Sequence, residues 1–141
     1  MQKVLVDSNI FLDYYLDRQD AMLPLGEFAF QFIKRAVECK YLVFITKDVL
    51  FEVKNILGVD EGTAWRRVFS SLANKSKIEL VSYEKDVEQR AIVLAKKENI
   101  PKTDALLIEV AKENNLILVS RNFHFEGSKG IIQIFKPEEL D

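Results

Sequence analysis

Short apolar runs alternate with segments of helical periodicity along the whole of this 141-residue chain. An apolar run of roughly four to eight residues between polar turn formers is typical of a strand that is buried on both faces. Strands of this kind, alternating with amphipathic helices, predict a mainly parallel sheet covered by helices on both sides. We expect the first strand to end at Asp7, and further strands at 41–46, 78–82, 116–120 and 131–135.

The helical segments complete this alternation. Apolar residues recur at a period of about 3.6 between the strands, and turn formers such as Gly58 separate the segments. The expected helices cover residues 9–17, 26–39, 48–57, 61–74, 83–98 and 103–114. No repeat, low-complexity segment or long linker divides the chain, so we predict one domain over residues 1–141, with Trp65 and the ten Phe side chains in its core.

Composition excludes several classes of protein. Hydrophobic residues make up 48% of the chain and charged residues 30%, which is typical of a globular domain rather than a disordered segment. No window of roughly 18 residues is continuously apolar, so we expect no membrane-spanning helix and no membrane partner. Asp7 interrupts the first apolar run before a signal peptide could form, and we therefore expect the chain in the cytoplasm.

Cysteine, histidine and net charge restrict the chemistry further. The single Cys39 can form neither an internal disulfide nor a thiolate metal cluster, which suits a reducing compartment. The lone His124 argues against zinc, because catalytic zinc sites usually use several His or Cys ligands. The net charge of −2 provides no global basic field, so nucleic acid would have to be bound by local basic residues.

Three acidic residues stand where predicted strands lead into helices. Asp7 ends the first strand, Asp104 lies in the first turn of a predicted apolar helix, and Glu52 follows the strand that ends at Thr46. Apolar neighbours at helical spacing predict that Glu52 faces inward, where an unpartnered glutamate is unfavourable. Asp7, Ser8 and Asp104 are also typical capping or first-turn residues, and this simpler interpretation stays open for each of them taken singly.

Taken together, the three carboxylates favour a metal site. The carboxyl ends of neighbouring parallel strands meet at one edge of a sheet, so Asp7, Glu52 and Asp104 are expected to converge on one cleft. Two carboxylates about 4 Å apart repel by about 4 kcal/mol at an effective dielectric of about 20, and a hard cation such as Mg²⁺ or Mn²⁺ would relieve that repulsion. Such an ion polarises a phosphodiester and lowers the pKa of bound water, so the residues predict metal-dependent phosphodiester hydrolysis.

Four segments, in order, carry a resemblance to a known family. They are Asp7-Ser8-Asn9 after the first strand, the six-residue spacing from Thr46 to Glu52, DALLIEVA at 104–111, and SRNFHF at 120–125. In these segments the chain resembles the PIN-domain ribonucleases, most of all the small VapC-type toxins of toxin–antitoxin pairs. The resemblance extends over nearly the whole chain, because the tail IIQIFKPEEL is also similar to the end of that family.

The resemblance implies a fold, an activity and partners. The fold would be a three-layer α/β/α sandwich with a five-stranded parallel sheet, and the activity would be Mg²⁺-dependent (or Mn²⁺-dependent) endonucleolytic cleavage of RNA. A small antitoxin protein would mask the cleft, and the chain would form a homodimer. Asp7, Glu52 and Asp104 would bind the metal and act in catalysis with Asn122. Supporting contacts would come from Ser8 and Asn9, which would hydrogen-bond Asp7, and from Thr103, Ser120 and Arg121.

Asn122 and His124 stand where many members of that family carry aspartates. We interpret Asn122 as a neutral residue that orients water or metal. The missing acids leave open the alternative of a catalytically silent PIN-like domain that acts as a protein- or RNA-binding module. Arg121 and Lys102 flank the predicted cleft in sequence and are the expected contacts to phosphate.

Two other phosphate-handling folds fit the sequence less well. A receiver domain would need paired acids after the first strand, whereas Asp7 is followed by Ser8. A haloacid-dehalogenase-type phosphatase would need a second aspartate at the position of Asn9. We therefore set both aside in favour of the nuclease and its silent counterpart.

Overall fold

Five of the apolar runs form one sheet. The computed structural model describes residues 1–128 and 130–140, without the side chains of Phe123, His124 and Glu126, so the prediction at His124 lies outside the described residues. The strands are β1 (Gln2–Val6), β2 (Tyr41–Ile45), β3 (Ile78–Leu80), β4 (Ile117–Val119) and β5 (Ile134–Phe135).

The sheet has the order β3-β2-β1-β4-β5, and every neighbouring pair is parallel. β1 lies at the centre, where Leu5 is paired with Phe44 of β2 on one side and with Leu118 of β4 on the other. This central place explains why Val4, Leu5 and Val6 are fully buried, since both faces and both edges of the strand are covered. The parallel five-stranded sheet confirms the prediction from the sequence.

Helices cover the sheet on two sides. In the described residues they are α1 (Ser8–Leu16), α2 (Leu25–Val37), α3 (Lys47–Leu57), α4 (Glu61–Arg67), α5 (Ser70–Ala73), α6 (Lys85–Glu98) and α7 (Lys102–Glu113), with 3-10 helices at Phe123–Ser128 and Pro137–Glu139. The helices α1 to α5 contact one another in one layer, and α6 packs on α7. The connections from β1 to β2 and from β2 to β3 run towards one edge of the sheet, whereas the connection from β3 to β4 runs towards the other edge. Because connections between parallel strands are right-handed, α1 to α5 lie on one face of the sheet and α6 and α7 on the opposite face.

The structure differs from the sequence-based expectation in two elements. The helix expected over 61–74 is divided into α4 and α5, because Val68 and Phe69 at the break are both buried. The Phe69 ring packs 4.8 Å from Phe11 and 5.0 Å from Trp65, between centroids, and this packing overrides the local helical preference. The strand expected over 131–135 contains only the residues of β5, since the amide of Ile131 bonds to Ser128 in a turn.

The core also contains fewer of the aromatic side chains than the sequence predicts. Phe30 and Phe51 are about half exposed, at 46% and 49%, and Trp65 is only partly buried. The expectation that Trp65 and all ten Phe side chains lie in the core is therefore wrong. None of the helices in the described part of the chain has the length and hydrophobicity that a membrane span requires.

Candidate active site

The order of the strands creates a crevice beside the carboxyl end of β1. The chain leaves β1 towards β2, whereas it leaves β4 towards β5, in the opposite direction along the sheet. At such a switch point the connections diverge and leave room for a ligand. The backbone amide of Asp7 donates to the carbonyl of Val119 at 3.0 Å, so the first carboxylate of the chain is fixed at this point.

Asp7 is both a helix cap and a member of the crevice. It is the N-cap residue of α1, and its Oδ1 accepts hydrogen bonds from the amide of Ser8 at 2.7 Å and from the Ser8 hydroxyl at 3.4 Å. Its Oδ2 accepts a hydrogen bond from the Ser120 hydroxyl at 2.8 Å. The side chain of Asp7 is 7% exposed, so these donors replace most of its contact with water.

One small cavity collects the three acids that the sequence singled out. Asp7, Glu52 and Asp104 all line a cavity of about 40 Å³, which is room for one small ion and a water. The other lining residues are Thr46, Asp48, Val49, Thr103, Leu106 and Leu107. Asp7 directly follows strand β1, and the first two turns of α3 and α7 supply the other lining residues apart from Thr46, the N-cap of α3.

Glu52 does not occupy the buried position that its apolar neighbours indicated. Its side chain is exposed, and the buried face of α3 consists of Val49, Leu50 and Val53. Ile56, one turn after Glu52, is 52% exposed, so the apolar stripe of α3 is displaced from the face that carries the glutamate. Glu52 therefore lies at the rim of the cleft, where it retains contact with water.

The turn after β4, residues 120–122, makes hydrogen bonds to both Asp7 and Asp104. The Asn122 side-chain amide donates to Oδ2 of Asp104 at 3.3 Å, and the Asn122 backbone amide donates to the Ser120 hydroxyl at 3.0 Å. Ser120 in turn donates to Asp7. The short segment 120–122 thus holds both buried carboxylates through neutral donors. Asn122 contacts Asp104 directly and is not among the residues that line the small cavity.

Two of the predicted supporting residues make other contacts than expected. Asn9 accepts a hydrogen bond from the Arg121 backbone amide at 3.5 Å through its Oδ1, and this bond ties α1 to the turn after β4. Ser8 and Asn9 were both expected to bond to Asp7, and among the described contacts only Ser8 does so. The Arg121 side chain is directed to the C-terminal segment, where it binds Glu138 at 2.9 and 2.5 Å. Thr103 is exposed and lines the cleft.

Asp48 is a cleft residue that the sequence did not single out. It lies in the first turn of α3, and its Oδ2 accepts a hydrogen bond of 2.5 Å from the Tyr83 hydroxyl. An acidic residue in a first helical turn is ordinarily explained by the helix dipole, which hid its second role. Its spacing of four residues from Glu52 was the available signal, because residues four apart share a helix face.

The donor set suits a hard cation. Carboxylate and amide oxygens are the ligands that Mg²⁺ and Mn²⁺ prefer, and the carboxylates of Asp7 and Asp104 are both buried beside the cavity. Within the described residues, no group of three or more His, Cys, Asp or Glu side chains is arranged to hold a metal ion. Glu52 is the exposed member of the set, so a third carboxylate ligand requires its side chain to turn inward from the rim.

A second, larger cavity is unrelated to these acids. It measures about 620 Å³ and lies at the opposite edge of the sheet, where residues such as Gln2 and Ile117 begin β1 and β4. Asp and Glu residues are absent from the described residues that line it. Cavity size alone would favour this larger cavity as the functional site. The rule that ligands bind at the carboxyl ends of parallel strands favours the small cleft instead.

Comparison with known proteins identifies the family. A family model described as the PIN domain matches residues 4–128. The chain belongs to the PIN-domain family. PIN domains are generally nucleases, and those nucleases generally use divalent metal ions. A comparison with curated protein sequences gives no significant match.

Solved structures similar to this PIN domain come from several bacteria. One is a toxin–antitoxin complex from Klebsiella pneumoniae, with 22% identity, a TM-score of 0.65, and coverage of 97% of this chain and 99% of that chain. VapBC2 from Rickettsia felis, bound to a DNA fragment from its promoter, has 13% identity and a TM-score of 0.67, with coverage of 94% and 97%. FitAcB from Neisseria gonorrhoeae has 16% identity and a TM-score of 0.65, with coverage of 97% and 99%. At these identities the likeness shows a shared fold.

Burial and like charges act on the first carboxylate of this PIN domain. Burial raises the pKa of Asp7 to about 6, and the hydrogen bonds from Ser120 and Ser8 lower it in part. The nearby charges of Glu52 and Asp104 raise the pKa of Asp7 further. A cation in the cleft would favour the ionised carboxylate against both burial and repulsion.

An ion-pair cluster, which we name the Arg121 clasp, holds the turn after β4 from the other side. It consists of Arg121, Glu138, Asp13 and Phe28: the guanidinium binds Glu138, lies 3.7 Å from an Asp13 oxygen, and sits 5.7 Å from the centroid of the Phe28 ring. The Arg121 side chain is only 15% exposed. The clasp therefore joins α1, α2 and the C-terminal 3-10 helix to the segment that positions Asn122.

Replacement of Asp7 by Asn is expected to stabilise the metal-free protein in a pH-dependent way. The pKa of Asp7 is about 6 in the folded state, above the ordinary value of about 4 in the unfolded chain. The contribution of Asp7 to stability is therefore fully present below about pH 4, and up to about 3 kcal/mol of it is lost as the pH rises through 6, whereas Asn does not titrate. Denaturant unfolding in chelator at pH 4.5 and pH 8 measures the difference.

Asp20→Asn is the matched control for Asp7→Asn, because the Asp20 side chain is exposed and lies outside the cleft. Its free energy of unfolding should follow that of wild type at both pH values. Equal pH dependence of the two variants would contradict the raised pKa of the buried Asp7.

Loss of the Arg121 clasp is expected to destabilise the protein at neutral pH. Glu138→Gln removes the charged partner of a largely buried guanidinium and should lower the free energy of unfolding by about 1–2 kcal/mol. Burial raises the pKa of Glu138, but the hydrogen bond and charge of Arg121 outweigh it and hold the pKa below the ordinary value. The clasp therefore stabilises the protein at neutral pH and loses its effect in acid, so the difference should shrink below about pH 4.

Glu27→Gln provides the control for the clasp. Glu27 is exposed, and among the described contacts its side chain bonds only to Gln31 in a solvent-exposed hydrogen bond, so its replacement should leave stability within about 0.5 kcal/mol of wild type. An equal loss in both variants, or a loss in Glu138→Gln that persists at pH 3, would contradict the ion pair as the cause.

Proposed function

We propose that this PIN domain is a cytoplasmic, metal-dependent endoribonuclease and the toxin of a toxin–antitoxin pair. The observation that carries the proposal is the shared cavity of Asp7, Asp104 and Glu52 at the switch point of the sheet. Three acids around a space of about 40 Å³ repel one another unless a cation lies between them. Membership of a family that generally consists of nucleases gives that cation its chemical use.

The protein's own groups prepare the site before any substrate binds. Ser8 and Ser120 fix both oxygens of Asp7, and Asn122 fixes Oδ2 of Asp104, so neither carboxylate has to reorganise. Asp7 and Asp104 would hold the metal, with Glu52 as the ligand that moves in from the rim. The bound metal would polarise a phosphodiester and make a water acidic enough to attack it.

The start of α7 provides a place for the substrate phosphate. Lys102 and Thr103 form the exposed first residues of this 12-residue helix, directly before Asp104. Helix N-termini attract phosphate through their backbone amides and the helix dipole. We assign the phosphate contact to Lys102 and Thr103, because the Arg121 guanidinium is committed to Glu138 and Asp13.

Protein partners are supported by exposed apolar side chains on the first two helices and on the segment between them. Tyr15, Leu16, Leu23 and Phe30 are each more than a third exposed, and Met22 is 96% exposed. Exposed apolar side chains concentrated in this way are typical of an interaction surface. Because the similar structure from Klebsiella pneumoniae is a toxin–antitoxin complex, we propose an antitoxin as a partner, together with a homodimer. Light scattering of the isolated chain measures the dimer.

The alternative is a catalytically silent PIN domain that binds protein or RNA. It is favoured by Asn122, which is neutral where a fourth acid is expected, and by the missing ready-made cluster of three acids in the described residues. The two functions differ in one measurable property. The nuclease cleaves RNA when a divalent ion is present, whereas the silent domain does not cleave RNA with or without that ion.

Asp104→Asn is expected to abolish RNA cleavage and to leave the fold intact. Asp7 and Asp104 are the two buried carboxylates of the cleft. The substitution removes the charge of Asp104 and keeps the volume of the side chain, so the metal loses a charged ligand while the packing of α7 is retained. Cleavage of a labelled RNA in Mg²⁺ or Mn²⁺, together with circular dichroism, measures both properties. Asp20→Asn serves as the control and should cleave at the wild-type rate. Wild-type activity in Asp104→Asn would refute the assignment of this residue.

Asn122→Asp is expected to bind the metal more tightly and to lower stability in chelator. The change replaces a donor to Asp104 by a fourth carboxylate, which repels Asp104 in the metal-free protein and attracts the cation in the loaded one. Calorimetric titration with Mn²⁺ and unfolding in chelator measure the two opposite effects, and activity should be kept or raised. Binding of no metal by either protein at millimolar concentration would favour the silent module.

A further inference from the structure

Another cavity, separate from the large one at the start of β1 and β4, lies at the same edge of the sheet as the carboxylate cleft, the small cavity lined by Asp7, Glu52 and Asp104. It measures about 210 Å³ and is formed where β3 ends and α3 begins. Its lining residues are Lys47, Leu80, Val81, Ser82 and Tyr83. This volume is smaller than the range of about 300–1,000 Å³ that is usual for complete small-molecule sites, so the cavity suits one planar group of a larger ligand.

The new cavity, which we name the Tyr83 pocket, shares a wall with the cleft. The Tyr83 hydroxyl donates to Asp48, and Asp48 lines the carboxylate cleft. Lys47 precedes Asp48 in α3 and lines the Tyr83 pocket. Two consecutive residues at the start of one helix thus face two adjoining cavities. A ligand that passes from the cleft over Asp48 reaches Tyr83 next.

The chemistry of the Tyr83 pocket is that of a nucleotide site. Tyr83 presents a half-buried aromatic ring, and the Lys47 ammonium lies 5.4 Å from its centroid. Single-stranded nucleic acids are bound by aromatic rings that stack on bases and by cations that meet the backbone. Among the described residues that line this pocket or the cleft, Lys47 is the one with a positive charge, and the cleft beside it contributes four acids.

The apolar part of the pocket supports a base rather than a bare phosphate. Leu80 is 52% exposed, and with Val81 it forms an apolar wall at the end of an edge strand. The anionic backbone of RNA would be repelled by Asp7, Asp48, Glu52 and Asp104 without a cation, so a strand is attracted to this region through Lys47 and the base. The bond of Tyr83 to Asp48 links the ring to the wall of the cleft.

We propose that the Tyr83 pocket binds one unpaired base of a single-stranded RNA, from a nucleotide beside the phosphate that is cleaved in the carboxylate cleft. This inference rests on the proposed nuclease function and adds to it a determinant of sequence preference. Tyr83 supplies the stacking surface, Lys47 contacts the adjoining phosphate, and the walls of the pocket select among bases.

Cleavage of a randomised RNA library tests the pocket, because such a library contains every short target sequence. Sequencing of the products of wild type gives a base preference at each position around the cut. Tyr83→Leu should remove the preference at one flanking position only, and should raise KM by about tenfold with a smaller change in kcat. Tyr83→Phe, which keeps the ring and loses the bond to Asp48, should retain that preference. Phe51→Leu is the matched control, because this exposed ring of α3 also has a lysine over it and lines neither cavity; it should behave as wild type.

The salt dependence of binding tests the cation separately. Lys47→Gln should weaken binding of a fluorescent single-stranded RNA and reduce the slope of log K against log salt by about 0.7, the value expected for one phosphate contact on a single strand. Circular dichroism of each variant confirms that it is folded. Glu79→Gln, on β3 and outside both cavities, controls for a general change of charge.

The outcomes separate the pocket from the nuclease itself. If wild type cleaves RNA and Tyr83→Leu keeps its preference at every position, the pocket is refuted and the nuclease stands. A preference lost equally in Tyr83→Phe and Tyr83→Leu would also refute base stacking, because the ring alone would not suffice. If wild type neither binds nor cleaves any RNA of the library with Mg²⁺ or Mn²⁺, both proposals fail together.

Discussion

The burial of the Asp7 carboxylate at the end of the central strand is the constraint on which the rest of the site depends. β1 is covered on both faces and flanked by β2 and β4, so the residue that follows it retains little contact with bulk water. A charge in that place requires donors, and Ser8 and Ser120 supply them from the helix after β1 and the turn after β4. The need to satisfy one side chain thereby fixes the relative position of two chain segments that are more than a hundred residues apart.

Charges of opposite sign are separated around this centre. The guanidinium of Arg121 lies directly after the strand end that faces the cleft, but it binds Glu138 and Asp13 behind the turn. The described residues that line the cleft include four acids and no cation, an arrangement that favours the binding of a divalent ion. Cations that could meet RNA remain at the rim, at Lys102 on one side and Lys47 on the other. This arrangement allows a chain with a net charge of −2 to present local basic contacts.

Much of the fold and of the site could be predicted, for identifiable reasons. Buried parallel strands leave apolar runs in the sequence, so the sheet was found with its elements in order, and Asp7, Glu52 and Asp104 were placed near its carboxyl edge. The break between α4 and α5 was missed, because it depends on the packing of Phe69 against Phe11, far away in the chain. The burial of Glu52 was mispredicted, because periodicity gives the faces of a helix but not which face the sheet covers.

The sequence by itself determined the alternation of strands and helices, the acids at their junctions, and the membership of the PIN-domain family. These properties are local, since each depends on the spacing of residues within one short segment. Only the tertiary structure decided that Arg121 binds the C-terminal segment, that Asn9 contacts the Arg121 backbone, and that Asp48 joins the cleft to Tyr83. Such pairings connect residues that are 17 to 112 positions apart, and which donor reaches which acceptor is fixed by the order of the strands rather than by any local pattern.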